Sequence, residues 1–184
     1  MTVDATTTSD SGVEVVYSDD EIARRLEDLA QEIKSAGLRN LLVVAILKGS
    51  FVFAADLIRA LHRAGLSPEV DFLTLSSYKK SKTSSGRVEI LRDLDLSVEG
   101  RNVLIVDDVL DSGRTLAFAK DLLSARGATA IRTCVLLEKQ VPRAVDVEAD
   151  YAAFECPDEF VVGYGMDVAH RYRELPFVGR ITKH

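Results

Sequence analysis

The chain has 184 residues, 47% of them hydrophobic, and a formal charge of −6. That is apolar content enough for one domain with a sizeable core, and without a basic excess the chain does not suit a general nucleic-acid binder, which must neutralise phosphates. Two cysteines (Cys134, Cys156) and three scattered histidines (His62, His170, His184) make no disulfide framework and show no metal-ligand spacing, and neither a membrane-length apolar run nor a secretory signal is present, so a cytoplasmic location is expected.

Residues 1–12 are Thr, Ser and Asp with almost nothing to bury, and read as a disordered tail before a single domain over 13–184. Ser18-Asp19-Asp20-Glu21 is a capping box. The helix behind it repeats Ile22, Leu26, Leu29 and Ile33 on one face and stops at Gly37. Leu41–Leu47 is an unbroken apolar run, which predicts a strand buried on both faces. It ends in Lys48-Gly49-Ser50, and the next helix spans 51–64. Alone, that is an ordinary strand-to-helix turn with a solvated lysine; beside a second such loop it becomes a candidate anion site. A strand over 69–78 follows, then the polar stretch 79–86, then a strand over 87–91. The polar stretch is either a solvated hairpin or a lid, and the lid is preferred.

The stretch that organises the rest is Val103-Leu104-Ile105-Val106, running into Asp107, Asp108 and Asp111, then Ser112-Gly113-Arg114-Thr115, then a helix marked by Leu116, Ala119, Leu122 and Leu123. Strand, loop and helix in this order put the loop at the carboxyl end of a parallel strand, where open α/β sheets hold ligands. Backbone amides and hydroxyls at a helix N-terminus suit a phosphate, and Gly113 lets the backbone approach it. Asp107 and Asp108 suit sugar hydroxyls or a hard cation such as Mg²⁺. A helix cap at Asp111 or Ser112 would explain one acid and leave two unexplained. The next strand, 130–137, ends in Glu138-Lys139 at the ligand edge, after which Val141-Pro142-Arg143-Ala144-Val145 turns the chain outward. The short apolar segments 151–154 and 160–162 would ordinarily be core. The expected fold is an open, doubly wound α/β domain with a mostly parallel sheet. A small hood is expected from the N-terminal segment and roughly 150–184.

The loop over 107–115 is not a Walker A pattern, which needs two spaced glycines followed by Lys-Ser/Thr. It resembles the phosphoribosyl pyrophosphate signature of the type I phosphoribosyltransferases, and Asp111 resembles the hypoxanthine-guanine branch, since adenine and orotate branches usually carry Ala there. Asp107 stands where many relatives have Glu, Ser112 where Thr is common and Arg114 where Lys is common. Cys156-Pro157-Asp158-Glu159-Phe160-Val161-Val162-Gly163-Tyr164-Gly165-Met166-Asp167 is similar to that family's base-recognition segment almost throughout.

The resemblance implies a purine-salvage enzyme that joins hypoxanthine or guanine to phosphoribosyl pyrophosphate, giving IMP or GMP plus pyrophosphate, with Mg²⁺ and as a homodimer or homotetramer. It implies a phosphoribosyl set of Asp107, Asp108, Asp111, Ser112, Gly113, Arg114 and Thr115, with Asp111 also the general base. Lys48, Gly49 and Arg173 would bind pyrophosphate, the Leu47–Lys48 peptide often being cis in the family. Lys139, Phe160, Val161 and Asp167 would form the purine end: Lys139 donates to O6, Phe160 stacks, and the Val161 backbone meets the base edge. Asp107, Asp108 and Asp167 would hold metal, and Ser77 and Tyr78 would belong to the lid. Three rivals stay open: an adenine or orotate enzyme, disfavoured by Asp111 and Lys139; a xanthine-preferring relative, which stacks with a Trp this chain lacks; and an RNA-binding regulator of the same fold, disfavoured by the acidic balance.

Overall fold

The computed structural model describes residues 12–77 and 88–182. Their elements in chain order are β1 (Val13–Tyr17), α1 (Asp19–Ser35), β2 (Leu41–Leu47), α2 (Phe51–Arg63), β3 (Glu69–Ser77), β4 (Val88–Arg92), β5 (Asn102–Leu110), α3 (Arg114–Ala125), β6 (Ala130–Lys139), β7 (Tyr151–Cys156), β8 (Val161–Val162) and β9 (Val178–Ile181). Most of the expected tail, the stretch 79–86 and Tyr78 lie outside the described residues. No described helix is long and apolar enough to cross a membrane.

The large sheet has the order β4-β3-β2-β5-β6-β7. All its pairings are parallel except that of β3 with β4. The apolar runs follow from burial on both faces. Successive side chains of a strand point to opposite sides: Val43 and Ala45 join one core with Leu104 and Val106, while Leu42, Val44 and Ile46 join another with Val103 and Ile105. α1 and α2 cover the first face through Leu29, Ile33, Phe53 and Leu57, and α3 covers the second through Leu116, Ala119 and Leu123. Each fully buried Leu or Phe contributes about 1.5–3 kcal/mol of transfer free energy.

α1 starts at the expected capping box: Glu21 N–H donates to Ser18 Oγ, and Ser18 N–H donates to Glu21 Oε2 at 2.8 Å. From β2 the chain passes through α2 to β3 on one side, whereas β5 leads through α3 to β6 and β7 on the other. Strand order therefore reverses between β2 and β5, and their carboxyl ends diverge around a crevice.

The second sheet, β1-β9-β8, is antiparallel and forms the hood. Tyr151–Cys156, expected in the hood, instead extends the large sheet as β7, because its backbone continues the parallel ladder of β6. The Tyr17 ring stacks on Phe154 with centroids 4.1 Å apart, tying the hood to that edge strand. Arg25 of α1 caps carbonyls of the same strand, donating to Ala153 O at 2.8 Å and Ala152 O at 2.9 Å.

Candidate active site

At the switch point the turn after β2 lies against Asp108 of β5. After β2, the Leu47–Lys48 peptide is cis, and the buried Ser50 donates its hydroxyl to Ile46 O at 2.5 Å. Lys48 is exposed, and its ammonium pairs with no carboxylate among the described residues. The neighbouring strand β5 runs on to Leu110, four residues past its expected end. Asp107, Val109 and Leu110 still pair with Val135, Leu137 and Glu138. The ladder thus holds Asp107 and Asp108 in strand, and the turn proper is Asp111-Ser112-Gly113.

Gly113, whose φ of 80° is left-handed, is the N-cap of helix α3, and no side chain caps the helix. The capping role considered for Asp111 or Ser112 is therefore absent, and the first-turn amides stay available to an anion. Only glycine fits at 113. A Cβ there would lie 2.6 Å from Val147 Cγ1 and 2.9 Å from Val145 O. The segment expected to turn outward after Lys139 in fact folds back over this loop, because Ala144 N–H and Val145 N–H both donate to Ser112 O, at 3.1 and 3.2 Å.

Asp107 is buried, and its Oδ1 accepts from Asp108 N–H at 3.0 Å; Asp108 Oδ1 accepts from Val109 N–H at 2.8 Å. Burial, and then the second carboxylate alongside, push Asp107 well above the ordinary carboxylate range. Asp108 is raised as well, chiefly by burial, with Arg173 pulling the other way. The pair titrates together. Two crowded acids fit a hard cation that takes its other ligands from substrate oxygens and water. No cluster of three or more His, Cys, Asp or Glu side chains able to hold a metal occurs among the described residues. Asp167 does not join the pair. Its carboxylate takes Arg173 Nη2 at 2.7 Å and His170 N–H at 2.8 Å.

A cavity of about 860 Å³ is lined by Asp107, Asp108, Asp111 and the whole turn through Thr115, and equally by Lys139, Phe160, Val161 and Asp167. Asp111 is exposed there, and its side chain has no partner among the described residues. Lys139 reaches the cavity from the end of β6 and is largely covered, with Nζ 3.6 Å from Asp158 Oδ1. Phe160 is 63% exposed, an unusual state for an aromatic beside a core, and it borders the same cavity. Val161 is buried and pairs with Arg180 in the hood.

Arg173, expected beside pyrophosphate, lines an adjoining cleft of about 730 Å³ between α1, α2 and the hood. It donates to Gly165 O at 2.6 Å. That glycine in turn packs on the Gly49 carbonyl, since a Cβ at 165 would lie 2.6 Å from it. The pyrophosphate set thus meets around Gly49, outside the main cavity lining. Of the lid pair, Ser77 ends β3 opposite Val88. Sequence reasoning missed the strap 143–147 and the Asp158 partner of Lys139. Asp158 is an exposed loop residue, and the strap mixes Arg143 and Asp146 with Ala144, Val145 and the buried Val147, so neither carries a periodic pattern that sequence reasoning could use.

A family model for the phosphoribosyl transferase domain matches residues 12–169. The chain is 45% identical over 166 residues to the bifunctional protein TilS/HprT of Listeria monocytogenes, covering 90% of this chain and 25% of that protein, so it spans about a quarter of that relative's length. It is 44% identical over 166 residues to the hypoxanthine-guanine phosphoribosyltransferase of Bacillus subtilis, covering 90% of this chain and 91% of that one. A solved hypoxanthine phosphoribosyltransferase from Staphylococcus aureus matches with a TM-score of 0.85 at 37% identity, over 91% of this chain and 90% of that chain.

Proposed function

The chain belongs to the type I phosphoribosyltransferases, and on that premise we propose that it serves purine salvage, transferring the 5-phosphoribosyl group of phosphoribosyl pyrophosphate to hypoxanthine or guanine. The products are IMP or GMP and pyrophosphate. The observation that carries this reading is one cavity lined both by the anion loop over 111–115 and by Lys139 with Phe160. A phosphate cradle and a base pocket sharing one space suit a nucleotide with its base attached.

In this reading the turn amides and the Ser112 and Thr115 hydroxyls hold the 5′-phosphate, Arg114 adding charge. Asp107 and Asp108 fix the ribose through its hydroxyls. Phe160 stacks on the purine, Lys139 donates to O6, and the Val161 backbone meets the base edge. As the bond from C1 to pyrophosphate breaks, positive charge builds on the ribose ring, as in glycoside cleavage. N9 of the base attacks C1, and Asp111 takes or holds the proton at N7. Lys48 and Arg173 stabilise the charge gathering on pyrophosphate. Asp107 and Asp108 would hold a magnesium ion, which when bound neutralises charge on the pyrophosphate and ribose oxygens. Asp167 would help hold a second such ion through its remaining lone pairs. The test is pyrophosphate release from phosphoribosyl pyrophosphate with each of hypoxanthine, guanine, xanthine and adenine. Release is expected with the first two, and release with adenine or xanthine alone overturns the reading.

A further inference from the structure

The strap over 143–147 lies outside every residue set assigned above, yet it is built onto the anion turn. Arg143 clasps it from both ends, donating from Nη1 to Val147 O at 2.8 Å and from Nη2 to Glu138 Oε1 at 2.5 Å. Both side chains of the ion pair are largely buried, at 20% and 21% exposure. The clasp closes a short loop against the end of β6. Inside it, Ala144 N–H and Val145 N–H converge on Ser112 O, while Val147 packs against Gly113. Two amides on one carbonyl oxygen fix the direction of that carbonyl.

The direction matters because of peptide geometry. The one cis bond among the described residues is Leu47–Lys48, so the Ser112–Gly113 peptide is trans. In a planar trans peptide the N–H points opposite to the C=O. Holding Ser112 O against the strap therefore aims Gly113 N–H away from it. Gly113 lines the main cavity, and its N–H has no partner among the described residues. With its left-handed φ, this peptide has an orientation that local sequence alone would leave free.

We propose that Arg143 is a positioning residue for phosphate binding: through the Glu138–Arg143–Val147 clasp it sets the Ser112–Gly113 peptide plane and so directs Gly113 N–H at the 5′-phosphate. The inference rests on the reading of the 111–115 turn as the phosphate cradle. It assigns the specificity for a phosphorylated sugar partly to a side chain that never touches it.

The experiment is equilibrium binding of GMP and of guanosine to the full chain and to Arg143→Gln, with a thermal melt of each protein. The wild type should prefer GMP. In Arg143→Gln that preference should shrink about tenfold, the scale of one well-aimed hydrogen bond to a charged acceptor, while guanosine affinity stays as in the wild type. A preference unchanged in the variant overturns the proposal and leaves the cradle standing. Parallel loss of GMP and guanosine affinity also overturns it, because a merely structural role would loosen the whole site. A wild type with no preference for GMP brings down the cradle reading itself. Should Arg143→Gln fail to fold, Arg143→Lys decides. It keeps the charge opposite Glu138 but cannot span to Val147 O as well, so the preference should fall about threefold, and an unchanged preference overturns the proposal.

Discussion

The backbone of Gly49 lies directly against the carboxylate of Asp108: a Cβ on Gly49 would stand 1.7 Å from Oδ2 and 2.7 Å from Cγ. The turn after β2 and the acid pair of β5 thus share one surface, with no room for a side chain between them. Gly49→Ala should be relieved by rotation of the Asp108 side chain, since the obstructing atoms end a short side chain and not a backbone. The fold should survive with a loss of about 1 kcal/mol or less, while kcat/KM falls about 10²-fold, the scale of a 1 Å misplacement at a reacting centre. A variant with wild-type kcat/KM would show that the placement of Asp108 is not required.

Asp111→Asn should fold and bind nucleotide normally, because Asp111 is exposed and pairs with nothing among the described residues. Its turnover should fall by about 10²–10⁴-fold, the usual contribution of a general base. Single-turnover kinetics with guanine separates this from slower product release. A decline of only a few-fold would remove Asp111 from the proton transfer.

Base choice tests Lys139. Its ammonium meets the cavity with Asp158 as counter-charge, and it can donate to a 6-oxo group but cannot accept from a 6-amino group. Hypoxanthine and guanine should therefore exceed adenine in kcat/KM by about 10⁴ or more, the discrimination expected when a buried polar group is left unpaired. Comparable values for adenine and guanine would count against the assignment.

The acid pair predicts a pH dependence of stability in the metal-free protein. Burial and Asp108 raise the Asp107 pKa above its unfolded value, so the folded state favours the neutral acid. Stability from that form is complete below the ordinary carboxylate range and is lost as pH rises through the raised value. Asp107→Asn cannot ionise. It should melt higher than wild type at pH 8, by about 2–4 °C for each kcal/mol recovered, and match it more closely at pH 4. Magnesium should raise the wild-type melting temperature more at pH 8 than at pH 4, and have little effect on the variant. Equal melting temperatures for both proteins at pH 8 without metal would contradict the shift.

Much of this molecule is written locally. Leu41–Leu47 and Val103–Val106 read as buried strands because both faces are covered, and α1 announces itself through Ser18, Glu21 and its apolar stripe. The turn after β5 is legible for the same reason: its chemistry sits in consecutive residues. What the chain did not disclose depends on partners far away in sequence. β1 and β9 are short, and their pairing joins Val13 to Ile181, so neither pattern means much until the other is beside it. β5 runs through Asp107 to Leu110 because β6 is there to pair with it. The strap returns to Ser112 through backbone contacts that carry no periodic signal. Sequence determined the central buried strands, their core and the turn after β5, because burial and turn chemistry act over a few neighbouring residues. Tertiary structure alone decided the pairing of β1 with β9, the hold of Ala144 and Val145 on Ser112 and the apposition of Gly49 with Asp108, because directional contacts between distant segments exist only once the chain has closed.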